Sequence, residues 1–492
     1  MHRASLLTRV LAIASLTSAL GACTTTQPSP FVGLYAGYDD CRERYAEIDA
    51  QIDAAGVRDA AFYRVPGYPY MRTDRLLASY AHEVEGLNQV AGWMRRMREL
   101  DQEAREFEMR NLGMTLEQVG LVRSRLQDCG RVLAAVELDS PEALAALRDA
   151  VQPPPEYSSV ARTLGLYPLM APLLKSHTTR EQEQAQAQFD EAAEASTQPP
   201  VVRWKAEAVE DLSLVPADFD KAYPDELGIP GLVDSAWRAL AETHAPQLWL
   251  ESADAVNQPG APVWTDDGVA VDASLPVVHY HFDFARFGGH ALARINYFMW
   301  FRKAGDDGAA GAGIDGLIWR VTLDRHAKPL LFESLHASGR DHYWFPAQSL
   351  QRREPNGYWI DPPLFPQTGL APAAPVLRLT RDQHELRQVR PANEVKEGPV
   401  RTYALKRYED LYLTATPEGG TRSIFGADGF VAGSDATEPA WLLASGMRRP
   451  GALRQYGHHA TSLLGHRHFD DPHLLEEVFV APPPPVAAKS AP

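Results

Sequence analysis

Cysteine is nearly absent, with three in 492 residues. A fold stapled by a disulfide framework is excluded, and a chain of this length can bury a real core. After the first two dozen residues no apolar run approaches the ~20 residues that cross a bilayer. A basic excess is missing as well. Lys and Arg number 48 against 64 Asp and Glu, a net charge of −16. That argues against nucleic acid as a partner, because such binding runs on clustered cations. Signature motifs are also wanting: there is no HExxH, GxSxG or Walker A loop, and no SxxK with partner motifs. His82-Glu83 and His384-Glu385 both lack the second histidine of a zincin helix. No internal repeat of 20–50 residues stands out. What is present is ordinary for a globular chain of two to four domains, 45% apolar and 23% charged.

The N-terminus carries an address. Residues 1–9 hold Arg3 and Arg9 and no acid, and Val10–Leu20 is an apolar run. That run is too short to span a membrane and fits a secretory signal. It ends in Leu20-Gly21-Ala22-Cys23, which resembles the lipobox of bacterial lipoproteins, with Gly in place of the more usual Ala or Ser. The resemblance implies cleavage before Cys23, diacylation of its thiol and acylation of its new amino group. Several acyl chains anchor stably where one does not. Thr24 follows the cysteine where Asp would favour inner-membrane retention, so the resemblance implies the outer membrane with the body facing the periplasm. Residues 23–30 then read as a lipidated, polar tether. In an oxidising compartment Cys41 and Cys129 most simply pair as a disulfide, with two buried thiols or a metal pair as alternatives.

The mature chain divides by periodicity into an α+β arrangement: an N-terminal helical bundle, then a mainly antiparallel β-rich domain with C-terminal helices. In residues 31–200 one helical stripe runs from Leu77 through Tyr80, Val84, Leu87, Val90 and Trp93 to Met97. Residues 115–130 start on a Thr cap, 140–151 on Ser-Pro, and 160–176 are broken or kinked by Pro168 and Pro172. A polar helix over 178–200 leads to a boundary at Pro199-Pro200. In residues 201–480 the period shortens. Hairpins are expected over 277–301 and 315–336 and around Asp267-Gly268, with further strands at 375–379 and 401–408. Helix is expected to return over 451–464 and 471–479. Residues 481–492 form a proline-rich tail expected to be disordered.

Histidine is the main chemical clue. On a strand, His279, His281 and Asp283 share one face, with Tyr280, Phe282 and Phe284 on the other. Such a face can chelate a divalent ion, zinc foremost, with His336 and His342 (or His290) completing the site. Glu333 or Asp341 would then be the base acting on metal-bound water. The plainer reading is a polar strand face in which Asp283 pairs across the hairpin with Arg294, near Asn296. A second cluster, His458, His459, His466 and His468, suits packing or an anion patch with Arg454 and Arg467 at least as well as ligation. Tyr343-Trp344-Phe345-Pro346 reads as a core strand or a sugar platform.

The stretches IDGLIWRVTLD, LLFESLHASGRDHYWFP and LRQYGHHATSLLGHRHFDD resemble segments of uncharacterised proteobacterial lipoproteins. In that family the run from His336 reads His-x-Cys-Gly-Cys-Tyr-His. Here Ser338 and Arg340 occupy the cysteine positions, so a thiol role is in doubt in this chain. The resemblance implies no activity. Two functions stand open. One is an outer-membrane-anchored periplasmic lipoprotein that binds an envelope protein or small ligand, or has a structural role. The other is a metal-dependent periplasmic hydrolase using the histidine cluster.

Overall fold

The computed structural model describes residues 37–194, 202–207, 219, 224–250, 257–303, 313–354, 361–367, 375–380, 384–394, 399–434 and 439–481. The signal segment, Cys23 and its tether, the Pro199-Pro200 boundary and nearly all of the proline-rich tail lie outside these residues.

Helices come first. They are α1 (Tyr38–Ala55), α2 (Arg75–Tyr80), α3 (Gly86–Asn111), α4 (Leu116–Glu137), α5 (Pro141–Ala150), α6 (Ser159–Leu164) and α7 (Tyr167–Glu194). Their starts follow local chemistry. Asp74, Thr115, Ser140 and Ser158 each accept a backbone N–H of the first turn, and Thr115 with Gln118 closes a full capping box. The single stripe expected over residues 77–97 is in fact two helices. The chain turns between Tyr80 and Gly86, where Gly86 adopts a positive φ of 71°, and Leu87 points to solvent. The expected break in 160–176 falls at Gly165-Leu166. Pro168 then occupies the tolerant first turn of α7, and Pro172 lies inside that helix. A hairpin that the helical periodicity hid, β1 (Tyr63–Val65) and β2 (Tyr68–Thr73), sits among these helices.

Cys41 on α1 and Cys129 on α4 form a disulfide. The core around it includes Tyr38, Tyr45, Ile52, Trp93, Met97 and Leu133.

The remaining strands are β3 (Val202–Ala206), β4 (Gln247–Leu250), β5 (Ala261–Thr265), β6 (Gly268–Asp272), β7 (Val277–Phe287), β8 (His290–Arg302), β9 (Ile314–Leu323), β10 (Pro329–His336), β11 (Tyr343–Pro346), β12 (Pro375–Leu379), β13 (Leu386–Pro391), β14 (Val400–Arg407) and the short pair β15 (Thr414–Ala415) and β16 (Thr421–Arg422). Ten of them make one sheet in the order β11-β10-β9-β8-β7-β14-β3-β4-β12-β13. The run from β11 to β7 is antiparallel and meandering. Parallel pairs enter at β7–β14, β14–β3 and β4–β12. The expected hairpins form as β5–β6, β7–β8 and β9–β10. The fold is thus α+β, with N-terminal helices, a large mixed sheet and a short C-terminal helix.

One face of the sheet buries Tyr297, Met299, Trp319, Val321 and Phe345 beneath α8 (Asp234–Thr243) and the Ala185 and Phe189 side of α7. The other face is covered by the C-terminal segment. There the expected helix over 451–464 is absent. Residues 451–464 run in turns, with Gly451 and Gly457 at positive φ. Helix over 471–479 shrinks to α9 (Leu474–Val478). The physical reason is that Arg454, Gln455, His458 and His459 are all buried, which an amphipathic helix with one wet face could not achieve.

The disulfide closes a loop of 88 residues. Replacing both cysteines by serine is expected to lower the unfolding free energy by about 4 kcal/mol. Urea denaturation with and without reductant checks this; coincident curves would mean that helix packing alone suffices.

Candidate functional site

A cavity of about 910 Å³ opens between the helical half and the sheet. Helices α2 and α3 supply Asp74, Arg75, Arg96 and Glu103. Strand β7 supplies Tyr280 to Phe284, the 3-10 turn Tyr408–Leu413 supplies Glu409, and the C-terminal segment supplies Tyr456 and Asp470. Trp237 from α8 packs on Phe282 at 4.6 Å between ring centroids and completes an aromatic wall with Tyr280 and Phe284.

The floor is a band of charge that crosses the sheet. Asp283 pairs with Arg294 in register across the hairpin, and the Tyr456 hydroxyl donates to the same carboxylate. Asn296 Nδ2 donates to Asp283 at 2.9 Å, and its Oδ1 accepts Arg320 Nε at 2.7 Å. Arg320 continues to Glu333 at 3.7 Å. Glu333 lies 2.9 Å from His342 Nε2, which the Trp344 indole N–H meets at 2.8 Å. The cross-strand pairing of Asp283 with Arg294 is the one the alternation predicted.

The four carboxyls of the cleft fall into two pairs that behave differently. Burial pushes the Asp283 carboxyl up, but the charges of Arg294 and Arg320 and two hydrogen bonds outweigh it and hold it below its ordinary value. Burial works the same way on Glu409. The His281 hydrogen bond at 2.8 Å, its charge and Arg407 win and hold it at about 2. His281 is raised in return: burial favours the neutral ring, and Glu409 outweighs that. Glu103 has no hydrogen-bond partner of its own among the described residues, and burial with the nearby Glu409 charge raises it to about 7. Asp74 is raised to about 6 by burial, against its cap bond from Leu77 N–H and with Asp470 and Asp283 adding to the rise. One cleft therefore holds carboxyls raised toward neutral pH beside carboxyls held ionised, the pattern used for acid–base and donor–acceptor work.

The histidines named from the sequence do not meet. His279 is buried and held neutral, with burial lowering it to about 3 and no hydrogen bond at Nδ1. His281 is committed to Glu409. His279 faces Phe298 on β8, Phe298 faces Ile318 on β9, and Ile318 faces Leu335 on β10, beside His336. At ~4.8 Å per strand, three spacings put His279 and His336 roughly 14 Å apart. His336 bonds Asp315 and Ser338, while His342 bonds Glu333. His290 lies at the far end of the β7–β8 hairpin. Glu333 is fully buried within the charge band, and Asp341 lines a different cavity at a positive φ of 56°. Among the described residues no group of three or more His, Cys, Asp or Glu is placed to hold a metal ion. In the second cluster, His458 bonds Glu156 and the Ala60 carbonyl, and His466 stacks on Tyr157. Trp344 and Phe345 are core.

Sequence reasoning missed Asp74, Glu103, Glu409 and Tyr456. Only Asp74 left a local signal, as the cap ahead of an apolar stripe.

The chain matches no protein-family model, and neither a curated protein nor a solved structure is similar to it. The site's reading rests on its own geometry.

Two predictions follow from that geometry. Arg294→Met leaves Asp283 buried with its main counter-charge gone and is expected to cost about 3–5 kcal/mol, whereas adding Asp283→Asn should restore part of it. Equilibrium unfolding of the two variants tests the pairing. The second concerns pH. An acid raised in the folded state binds protons that the unfolded chain has released, so its contribution to stability falls as pH climbs from its ordinary value to its raised one. For Glu103 that window runs from 4.5 to about 7. Glu103→Gln should flatten the loss of stability across it by up to about 2 kcal/mol.

Proposed function

We propose that this chain is an outer-membrane lipoprotein, anchored through acylated Cys23 with its body in the periplasm, whose cleft binds a polar, hydroxyl-rich ligand. The observation that carries the reading is Glu103. It is a carboxyl at the cavity wall with no hydrogen-bond partner among the described residues, raised to about 7 by burial and by the charge of the ionised Glu409. A protonated carboxyl donates and an ionised one only accepts. A ligand hydroxyl, which does both, fits between such groups without leaving either unsatisfied. The half-exposed aromatic wall of Trp237 and Tyr280 offers apolar faces beside those polar groups, the usual composition of a small-molecule site. A neutral or weakly cationic saccharide suits the slight excess of acids over bases around the cavity. Anchoring and binding fit together, since a tethered body samples ligands at the membrane surface.

Anchoring is checked by metabolic labelling. Cys23→Ser should abolish incorporation of labelled palmitate and move the protein out of the membrane fraction; unchanged labelling would reject the acylated cysteine. Binding is checked by tryptophan-fluorescence titration of the full-length protein with trimers of neutral and N-acetylated hexoses at about pH 5.5 and about pH 8. Saturable quenching is expected, stronger at the lower pH where Glu103 is protonated. Trp237→Ala should weaken it about tenfold, the ~1.4 kcal/mol expected of one stacked aromatic. No saturation by any trimer up to ~10 mM, an affinity weaker than about 3 kcal/mol, would remove the saccharide reading.

A further inference from the structure

A second cavity of about 300 Å³ shares no wall residue with the cleft. It is bounded by α7, the turn after β10 and the C-terminal segment, and Ser338, Gly339, Arg340, Leu442, Met447 and Arg467 line it. Behind Ser338 runs a chain of hydrogen bonds. Ser338 Oγ lies 2.7 Å from His336 Nδ1, and His336 Nε2 lies 2.8 Å from Asp315 Oδ1. The other Asp315 oxygen meets His384 Nδ1 at 2.9 Å, and the His384 ring stacks on Phe301 at 4.2 Å.

The protons in this chain are fixed by what each partner can do. The Ser338 backbone N–H points at His336 Nδ1 at 3.2 Å, and an amide can only donate, so Nδ1 is an acceptor. A carboxylate can only accept, so Nε2 carries the proton. The Ser338 hydroxyl must then donate to Nδ1. That is the arrangement of an activated hydroxyl: a base with its lone pair on the serine proton and its far N–H held by a buried carboxylate. The two ring nitrogens are exchanged relative to the familiar protease triad, while the roles are kept. His384 and the Gly316 amide at 2.9 Å satisfy Asp315 and keep it ionised.

The backbone that carries Ser338 is rigid. His336 N–H bonds the Arg340 carbonyl at 2.9 Å, and Gly339 N–H bonds the His336 carbonyl at 2.8 Å. Arg454 donates to the Ser338 carbonyl at 3.0 Å. Gly339 has a φ of 95°, and a Cβ there would lie 2.3 Å from the Ala460 carbonyl oxygen. Ser338 is a wall residue of the cavity and is only 1% exposed, so an ester carbonyl reaches its hydroxyl only when the wall yields.

We propose that Ser338 is the nucleophile of an acyl-transfer site in this second cavity, with His336 as its base and Asp315 as the positioning residue, acting on small carboxylic esters. The Ser338 oxygen bonds the ester carbonyl carbon as its proton passes to His336 Nδ1. The carbon–oxygen bond to the alcohol then breaks, and the alcohol leaves with that proton. Water attacks the acyl-serine, gives its proton to Nδ1, and the carboxylic acid departs as Ser338 regains a proton. Leu442 and Met447 fit a compact acyl group, and the Arg340 and Arg467 charges at the wall suit the developing oxyanion. The proposal is independent of the cleft and its ligand.

The test treats full-length protein with an alkyl fluorophosphonate and maps the adduct by peptide mass spectrometry. Expected is one adduct on Ser338, absent in Ser338→Ala, with the labelling rate reduced roughly 10²–10⁴-fold in His336→Ala. Ser338→Cys adds a readout that a merely structural serine would not give. Its thiol should be alkylated by iodoacetamide at about pH 6, where an unperturbed thiol of pKa about 8.5 is almost unreactive. A folded wild-type protein with no adduct on Ser338 overturns the proposal, and so does a Ser338→Cys thiol that reacts only above about pH 8.

Discussion

Arg294 and Arg320 are buried in the middle of a sheet, and most of the structure can be read as what that requires. A guanidinium cannot shed its charge, so each must be surrounded by acceptors or cost several kcal/mol. Asp283, Asn296 and Glu333 supply acceptors from three strands, which fixes the mutual register of β7 to β10 beyond what apolar alternation would. The rest comes from the C-terminal segment. The Asp471 carbonyl accepts Arg294, and the Phe469 carbonyl accepts Arg320 at 2.7 Å, with the Phe469 ring 3.3 Å from the guanidinium carbon. Residues near 470 are therefore tied to the sheet centre although they lie 149 to 177 positions later in the chain.

A second buried network does the same for the helical half. Arg72 holds Asp101 and Glu108, Arg105 holds Asp101 and Asp49, and Glu108 accepts the Asp59 amide. Gln455 bonds Asp59 at 2.9 Å, and Arg75 pairs with Asp470 at 3.2 Å. The C-terminal segment is thus the common partner of both halves. The cleft lies where they meet, and its shape is set by hydrogen-bonded pairs whose geometry is narrow. That is how Glu103, on a helix, comes to sit near Glu409, which follows the last sheet strand.

Much of the framework was legible because it is local. Alternation gave three hairpins, and the Ser-Pro and Thr starts gave helix caps. Asp283 and Arg294 could be matched because a hairpin puts its partners at predictable offsets. The four-histidine site failed for a complementary reason. Histidines on strands close in sequence seemed close in space, yet β8 and β9 lie between β7 and β10. The helix expected over 451–464 failed because an apolar count cannot see that Arg454 and His458 find buried partners at Ser338, Ala60 and Glu156. Nor could it place Ser338 against His336 and Asp315, since that run joins β9, the last residue of β10 and the turn beyond it.

The cleft and the small cavity differ in one physical respect that bears on what each can do. In the small cavity Ser338, His336, Asp315 and His384 form one hydrogen-bonded run, so a bound molecule meets a preformed network. In the cleft Asp283 and Glu409, paired with cations, are held as anions, whereas burial raises Glu103 to about 7 and Asp74 to about 6. A ligand that supplied an acceptor to protonated Glu103 would stabilise that form further, and one that supplied a cation would favour its ionised form. Binding in the cleft is therefore coupled to proton uptake or release by linkage, with a sign that depends on the ligand's own charge.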